Sequence, residues 1–267
     1  MKLFTKQLAR EPAVLVTVVS TQGSVPRAAG AWMAVFARNV LGTVGGGHLE
    51  FEAIAEARRR LVQRESPSER RFNLGPSLGQ CCGGTVQLRF ERVDAADAAA
   101  LTQRLAPRLA PLALFGGGHV GRALVHALAP LPFAVRWIDS RDEIFPAQLP
   151  DNVVSEHSDP VHAAVRDLAP GSRVLIMSFS HAEDLDVVAA CLRRLREQDD
   201  LPYIGLIGSE TKWATFRHRL EERGFIGAEL ARITCPIGLP GIHGKQPEVI
   251  AASVAAQILL VAPPQAS

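Results

Sequence analysis

The chain has 267 residues, 47% hydrophobic and 21% charged, and 29 basic against 27 acidic residues give a formal charge of +2. This length makes one large domain or two modest ones, and the composition excludes disorder, collagen and coiled coil. Near-neutral charge, 6% aromatics and a single Tyr argue against a nucleic-acid partner, and four cysteines are too few for a disulfide framework.

The start, Met1-Lys2-Leu3-Phe4-Thr5-Lys6, is charged but lacks an apolar h-region, so no signal peptide is expected. Val14 to Val19 is compact and β-branched, as in a buried strand. Ala31–Ala37 and Val40–Val44 flank an Arg38-Asn39 turn and read as a hairpin. From Leu49 to Glu65 the apolar residues Leu49, Ala53, Ala57 and Leu61 recur every four, which predicts an amphipathic helix. Thr85 to Val93 alternates like a strand with one buried face. Asp94 to Pro111 reads as a short helix and a connector, and separates a domain over 1–105 from one over 111–262.

After Pro111 strands and helices alternate. Strands are expected at Leu112–Phe115, Phe133–Ile138, Val153–Ser155, Arg173–Phe179 and Tyr203–Ile207. Helices are expected at Val120–Leu128, Asp184–Glu197, Glu210–Arg223 and from Pro247, a residue suited to the first helical position. This rhythm implies a parallel sheet with helices on both faces. The apolar stretch Val249–Ala262 is too short to span a bilayer, so a cytoplasmic protein with reduced thiols and no membrane partner is expected.

Gly116-Gly117-Gly118-His119-Val120-Gly121 matches G-x-G-x-x-G between a strand and a helix. Gly116, Gly118 and Gly121 permit a tight turn, close phosphate approach and close helix packing. Asp139 stands 18 residues after Gly121 at the end of the next strand, where an acid can bind a ribose hydroxyl. Ligands of such sheets bind at the carboxyl ends of the strands. Those ends bring Ser178, Ser180 and His181, then Gly208, Ser209 and Lys212. A glycine-rich loop ending in Lys245 could fold over an anion or simply connect to the last helix, and His181 could be a general base or a solvated cap. No substrate domain and no proton relay accompany them, so the crevice reads as built to hold rather than to transform.

In the front domain, Gly45-Gly46-Gly47-His48 precedes the Leu49 helix and forms a second anion-type turn. Cys81-Cys82-Gly83-Gly84 is the other feature: adjacent cysteines strain a mutual disulfide, and no C-x-x-C accompanies them, which argues against zinc. Such thiols could ligate a soft metal, carry sulfur or fill a tight turn. Cys191 lies on an apolar helix stripe and reads as core.

Together these residues resemble the XdhC/CoxI family, accessory proteins of molybdenum hydroxylases. The resemblance covers nearly the whole chain. It rests on Gly23-Ser24-Val25-Pro26-Arg27, Gly45 to Glu50, Cys82-Gly83-Gly84, the Gly116 turn, Ser178-Phe179-Ser180-His181, Gly205 to Ser209 and Pro236 to Leu239. Leu74 to Cys82 and Gly241 to Lys245 look like the XdhC branch. Phe179-Ser180-His181-Ala182-Glu183 departs from the Thr then His-Asp that relatives often carry.

The resemblance implies an N-terminal α/β domain of XdhC/CoxI type, followed by a Rossmann-like, doubly wound parallel-sheet domain. It implies a chaperone without turnover that binds the molybdenum cofactor, a molybdopterin with a phosphate tail. Such a protein supports sulfuration of the cofactor by an L-cysteine desulfurase, delivers it to apo xanthine dehydrogenase, and self-associates as a homodimer or larger. The matching thiol is Cys82, near the molybdenum, with Cys81 beside it. Arg27, Gly46, Gly47, His48, the Gly116 turn, Asp139, His181, Gly208, Ser209 and Lys245 complete the expected cofactor contacts. The rival readings are an NAD(P)-dependent oxidoreductase using Gly116–Gly121 and Asp139, a sulfur carrier using Cys81 and Cys82, and a scaffold that binds partners but no pterin.

Overall fold

The computed structural model describes residues 1–74 and 83–261, so Cys81 and Cys82 lie outside the described residues. The chain divides into two compact units, Met1–Pro107 and Arg108–Ser267. Among the described residues no helix is long and apolar enough to cross a membrane.

The first unit contains α1 (Lys2–Leu8), β1 (Ala13–Gln22), β2 (Trp32–Val35), β3 (Val40–Gly42), α2 (Gly47–Gln63), β4 (Ser68–Asn73), β5 (Thr85–Val93) and α3 (Ala98–Arg104). Its antiparallel sheet runs β3-β2-β1-β5-β4. The apolar run of β1, interrupted only at Thr17 between Ala13 and Val19, follows from covering on both faces. Val14, Val16 and Val18 pack with Leu49, Ala53 and Ala57 of α2, while Ala13 and Leu15 pack with Phe4, Leu8 and Leu101 of α1 and α3. Burying each large apolar side chain is worth roughly 1.5–3 kcal/mol. The register of β1 on β5 slips between Val18 and Ser20, a bulge that re-aims the strand end toward Gln22.

The second unit contains β6 (Ala110–Phe115), α4 (His119–Leu128), β7 (Phe133–Asp139), β8 (Val153–His157), β9 (Arg173–Ile176), α5 (His181–Gln198), β10 (Tyr203–Leu206), α6 (Glu210–Glu222), α7 (Gly227–Leu230), β11 (Ile233–Thr234) and α8 (Pro247–Leu259). All six strands are parallel, in the order β11-β10-β9-β6-β7-β8. This is the doubly wound dinucleotide-fold order, whose direction reverses between the first and fourth strands, here β6 and β9. One face carries Phe115, Ile176 and Leu206 against α5 and α6; the other carries Leu114, Trp137 and Leu175 against α4 and α8. The strand expected over Arg173–Phe179 leaves the ladder at Ile176, because Met177 to Ser180 form the loop that caps α5.

Candidate functional site

In the first unit the three sequence motifs meet. A Cβ on Gly84 would stand 2.5 Å from Ser24 O and 2.6 Å from Gln22 O, so the end of the Cys-Cys-Gly-Gly segment lies backbone to backbone on the Gly23–Arg27 turn. The Leu74 N–H donates to Gly84 O at 2.8 Å and pins both ends of the segment between them. A Cβ on Gly45 would stand 2.4 Å from Pro26 Cγ and 3.6 Å from Arg27 Cγ. Arg27 is exposed beside this turn.

Gly46 caps α2, yet the turn is not open to an outside anion. The Glu50 carboxylate folds back to accept from Gly46 N and Val44 N, each at 3.1 Å, and from Thr43 Oγ1. Burial raises the Glu50 pKa, but the Thr43 hydroxyl and the backbone N–H groups of Gly46, Val44 and Gly45 outweigh it and hold it below the usual range. The expectation of an anion site at Gly45–Gly47 is corrected accordingly: the chain supplies the anion itself. His48 is exposed and lies 3.2 Å from Glu52.

In the second unit the carboxyl ends of the strands form one edge. A Cβ on Gly116 would meet Met177 O at 2.0 Å, and one on Gly121 would meet Gly116 O at 2.0 Å, so strand, turn and helix are in contact at the β6–β9 switch. At Gly118, which caps α4, a Cβ would meet nothing within 4 Å. The first turn of α4 closes with Arg122 N–H to Gly118 O, which leaves the His119 and Val120 N–H groups ahead of it facing outward.

Asp139 departs from its expected role. Its carboxylate is 1% exposed and accepts from Gly117 N (2.6 Å), Arg141 N (2.9 Å), Arg141 Nε (2.8 Å) and Arg141 Nη2 (2.9 Å). A carboxylate offers about four lone-pair sites, so none remains for a ribose hydroxyl. Burial raises the Asp139 pKa, but the bonds from Arg141 and Gly117 overcome it, and the net shift is downward. Asp139 therefore fastens the glycine turn to the β7 loop.

The β9 and β10 ends are equally tied. Ser180 caps α5 by accepting from Glu183 N at 3.2 Å; Glu183 accepts from Phe179 N at 3.0 Å and Ser140 Oγ at 2.7 Å. The residues that departed from the family pattern thus form a helix cap that also bridges to the β7 loop. His181, first in α5, is exposed and touches Phe216 edge-on at 6.2 Å. Ser209 caps α6 by accepting from Lys212 N at 3.2 Å. Lys212 Nζ donates to the buried Asp184 at 2.7 Å and to Ile207 O at 2.8 Å, and Asp184 accepts from Ser178 N at 2.7 Å. A Cβ on Gly208 would touch Lys212 Cδ at 2.8 Å. Ser178 Oγ is buried without a hydrogen-bond partner among the described residues. Lys245 is exposed, in the loop before α8.

The sequence motifs contain Glu50, Phe179 and Glu183 without assigning them a role, and Asp184 stood only at the start of a predicted helix. The capping pattern Ser180-x-x-Glu183 could have found one of them; the others depend on tertiary direction. Among the described residues no three His, Cys, Asp or Glu side chains cluster as a metal site.

Residues 112–258 match the family profile described as the XdhC Rossmann domain, and residues 7–73 match that of the XdhC and CoxI family. The uncharacterized protein YqeB of Escherichia coli K12 is 28% identical over 271 residues, covering 98% of this chain and 46% of that protein. The chain thus spans about half the length of this curated relative. A solved structure from Bacillus halodurans, described as a xanthine dehydrogenase, is 20% identical with a TM-score of 0.77, over 97% of this chain and 94% of that one, and shares the fold.

Proposed function

Since the chain belongs to the XdhC and CoxI family, we propose that it is a holding protein for the molybdenum cofactor, with the phosphate end of the pterin seated on the Gly118 turn. The observation that carries this placement is the contrast between the two glycine turns. Both capping glycines face open space, but Glu50 accepts from Gly46 N in the first turn, whereas among the described residues no side chain accepts from Gly118, His119 or Val120 N. Outward N–H groups and the positive helix end favour a phosphate there. The unpartnered Ser178 Oγ, on the loop after β9, supplies a further polar group at the same sheet edge. These features fit the phosphate end of the group.

In this reading the chain's own residues bind and orient rather than react. Gly118, His119 and Val120 N–H groups hold the phosphate. Asp139 and Arg141 keep the turn in shape. The thiolates of Cys82 and Cys81 are soft donors of the kind that suits molybdenum–sulfur chemistry. The bound cofactor supplies the oxidised metal centre that a recipient enzyme needs. Supporting its sulfuration by an L-cysteine desulfurase and delivering it to apo xanthine dehydrogenase require a binder that releases readily. An NAD(P) enzyme is the weaker reading, because the acid that would read the ribose has no acceptor site left.

Loading purified protein with the cofactor and following pterin release tests the assignment. Cys82→Ala is expected to release it faster; an unchanged release rate removes Cys82 from the site.

A further inference from the structure

The carboxyl edge of the parallel sheet carries a group that the phosphate site does not use. Phe179, in the loop after β9, is 65% exposed. It is not on a loose loop. Its own N–H is held by Glu183, which also takes the Ser140 hydroxyl and so ties the β9 loop to the β7 loop. The guanidinium of Arg141 lies 4.3 Å from the ring centroid. Asp139 grips that guanidinium through Nε and Nη2, while Nη1 has no partner among the described residues.

β6 lies between β7 and β9, so the Arg141–Phe179 pair bridges the two loops that flank the Gly116–Gly118 turn. The guanidinium thus lies over the ring, with a spare donor at the edge and an open phosphate cradle on the intervening loop.

We propose that Phe179 and Arg141 form a stacking platform for the fused heterocycle of a phosphate ester whose phosphate rests at Gly118, with Arg141 Nη1 donating to an acceptor on the ring edge. The seat of the phosphate rests on the reading given above; the platform itself rests on the Phe179–Arg141 geometry. A ring of this kind has two sources, a pterin or a purine nucleotide. Flat rings stack on aromatic and guanidinium planes whatever their substituents, so discrimination falls to Nη1 and the cradle.

The test titrates the full-length protein with neopterin monophosphate, NADH and inorganic phosphate, following ligand fluorescence for the first two and competition for the third. Wild type, Phe179→Leu, Phe179→Trp and Arg141→Lys are compared. The platform predicts that Phe179→Leu weakens the heterocycle by roughly tenfold, the usual size of a lost stacking contact. Phe179→Trp restores it, Arg141→Lys weakens it, and inorganic phosphate is unaffected by the Phe179 changes. Saturable binding of neopterin monophosphate with this pattern supports both the platform and the cofactor reading. The same pattern for NADH alone supports the platform and overturns the cofactor reading. Binding that Phe179→Leu leaves unchanged, or no saturable binding of either heterocycle, overturns the platform; pterin retention by cofactor-loaded wild type then judges the cofactor reading separately. Because Phe179 is exposed, its variants are expected to keep the wild-type melting temperature, and a loss of fold in Arg141→Lys leaves the Phe179 pair to decide.

Discussion

At Asp139 a side chain that a dinucleotide fold turns outward is turned inward, onto Gly117 N–H and the Arg141 guanidinium. Its folded pKa is depressed below 3.8, so its contribution to stability is full above that value and is lost as pH falls through the depressed pKa. Asp139→Asn is expected to cost about 1–2 kcal/mol at pH 7, the lower end reflecting the partly exposed Arg141. In urea unfolding the gap between variant and wild type should close below pH 3.8. A gap that stays constant down to pH 2 would contradict the ionic clamp.

Two glycines three residues apart give a second residue-scale contrast. Gly121→Ala drives a Cβ to 2.0 Å from Gly116 O and is expected to cost 3 kcal/mol or more, roughly the penalty of an overpacked core site. Gly118→Ala meets nothing and should leave the melting temperature within roughly 1–2 °C while weakening the hold on a phosphate ester. Calorimetric melting and pterin retention separate the two effects. Among the thiols, burial pushes Cys191 up to about 12 and Cys235 up to about 11. Both should stay unmodified by iodoacetamide at pH 8 in the native protein, and peptide mass spectrometry that finds label on either would contradict this.

At the scale of elements, α8 fastens the glycine-rich loop before it. Gln257 accepts from Gly238 N at 2.7 Å and from Tyr203 Oη at 2.6 Å, donates to Gly238 O at 3.1 Å, and Ser253 Oγ accepts from Leu239 N at 2.7 Å. Gln257→Leu strands three half-buried polar groups and should cost about 2–4 kcal/mol. Hydrogen exchange at Gly238 should accelerate before the rest of the unit opens; protection equal to wild type would show that the loop is held by other means.

The elements also show why the sequence was readable in some places only. β1 reads as a buried strand because both its faces are covered, and the Gly116 turn reads correctly because its spacing is forced by backbone contact. β4 escapes notice because Phe72 alone of its six residues is buried. α1 escapes because it is short and buries only Phe4 and Leu8. The inward turn of Glu50 and Asp139 has no linear signature, since it depends on which backbone groups the fold leaves unpaired nearby.

At the scale of the whole molecule, the chain is an antiparallel unit whose Gly23, Gly45 and Gly84 motifs converge, followed by a doubly wound parallel unit with one open glycine cradle. The convergence of three motifs separated by some sixty positions requires the β1–β5 pairing and its bulge, which no local pattern contains. The near-neutral charge argues against a strongly basic chain, so the proposed phosphate hold rests on backbone N–H groups. The central claim, that this chain holds a molybdenum cofactor, is tested most directly by its cargo. Protein purified from a cell that makes the cofactor should carry pterin and molybdenum in near-equal molar amounts, read as oxidised-pterin fluorescence and by elemental analysis, and Gly118→Ala and Cys82→Ala should carry less. Wild-type protein that carries neither pterin nor molybdenum from such a cell would contradict the account.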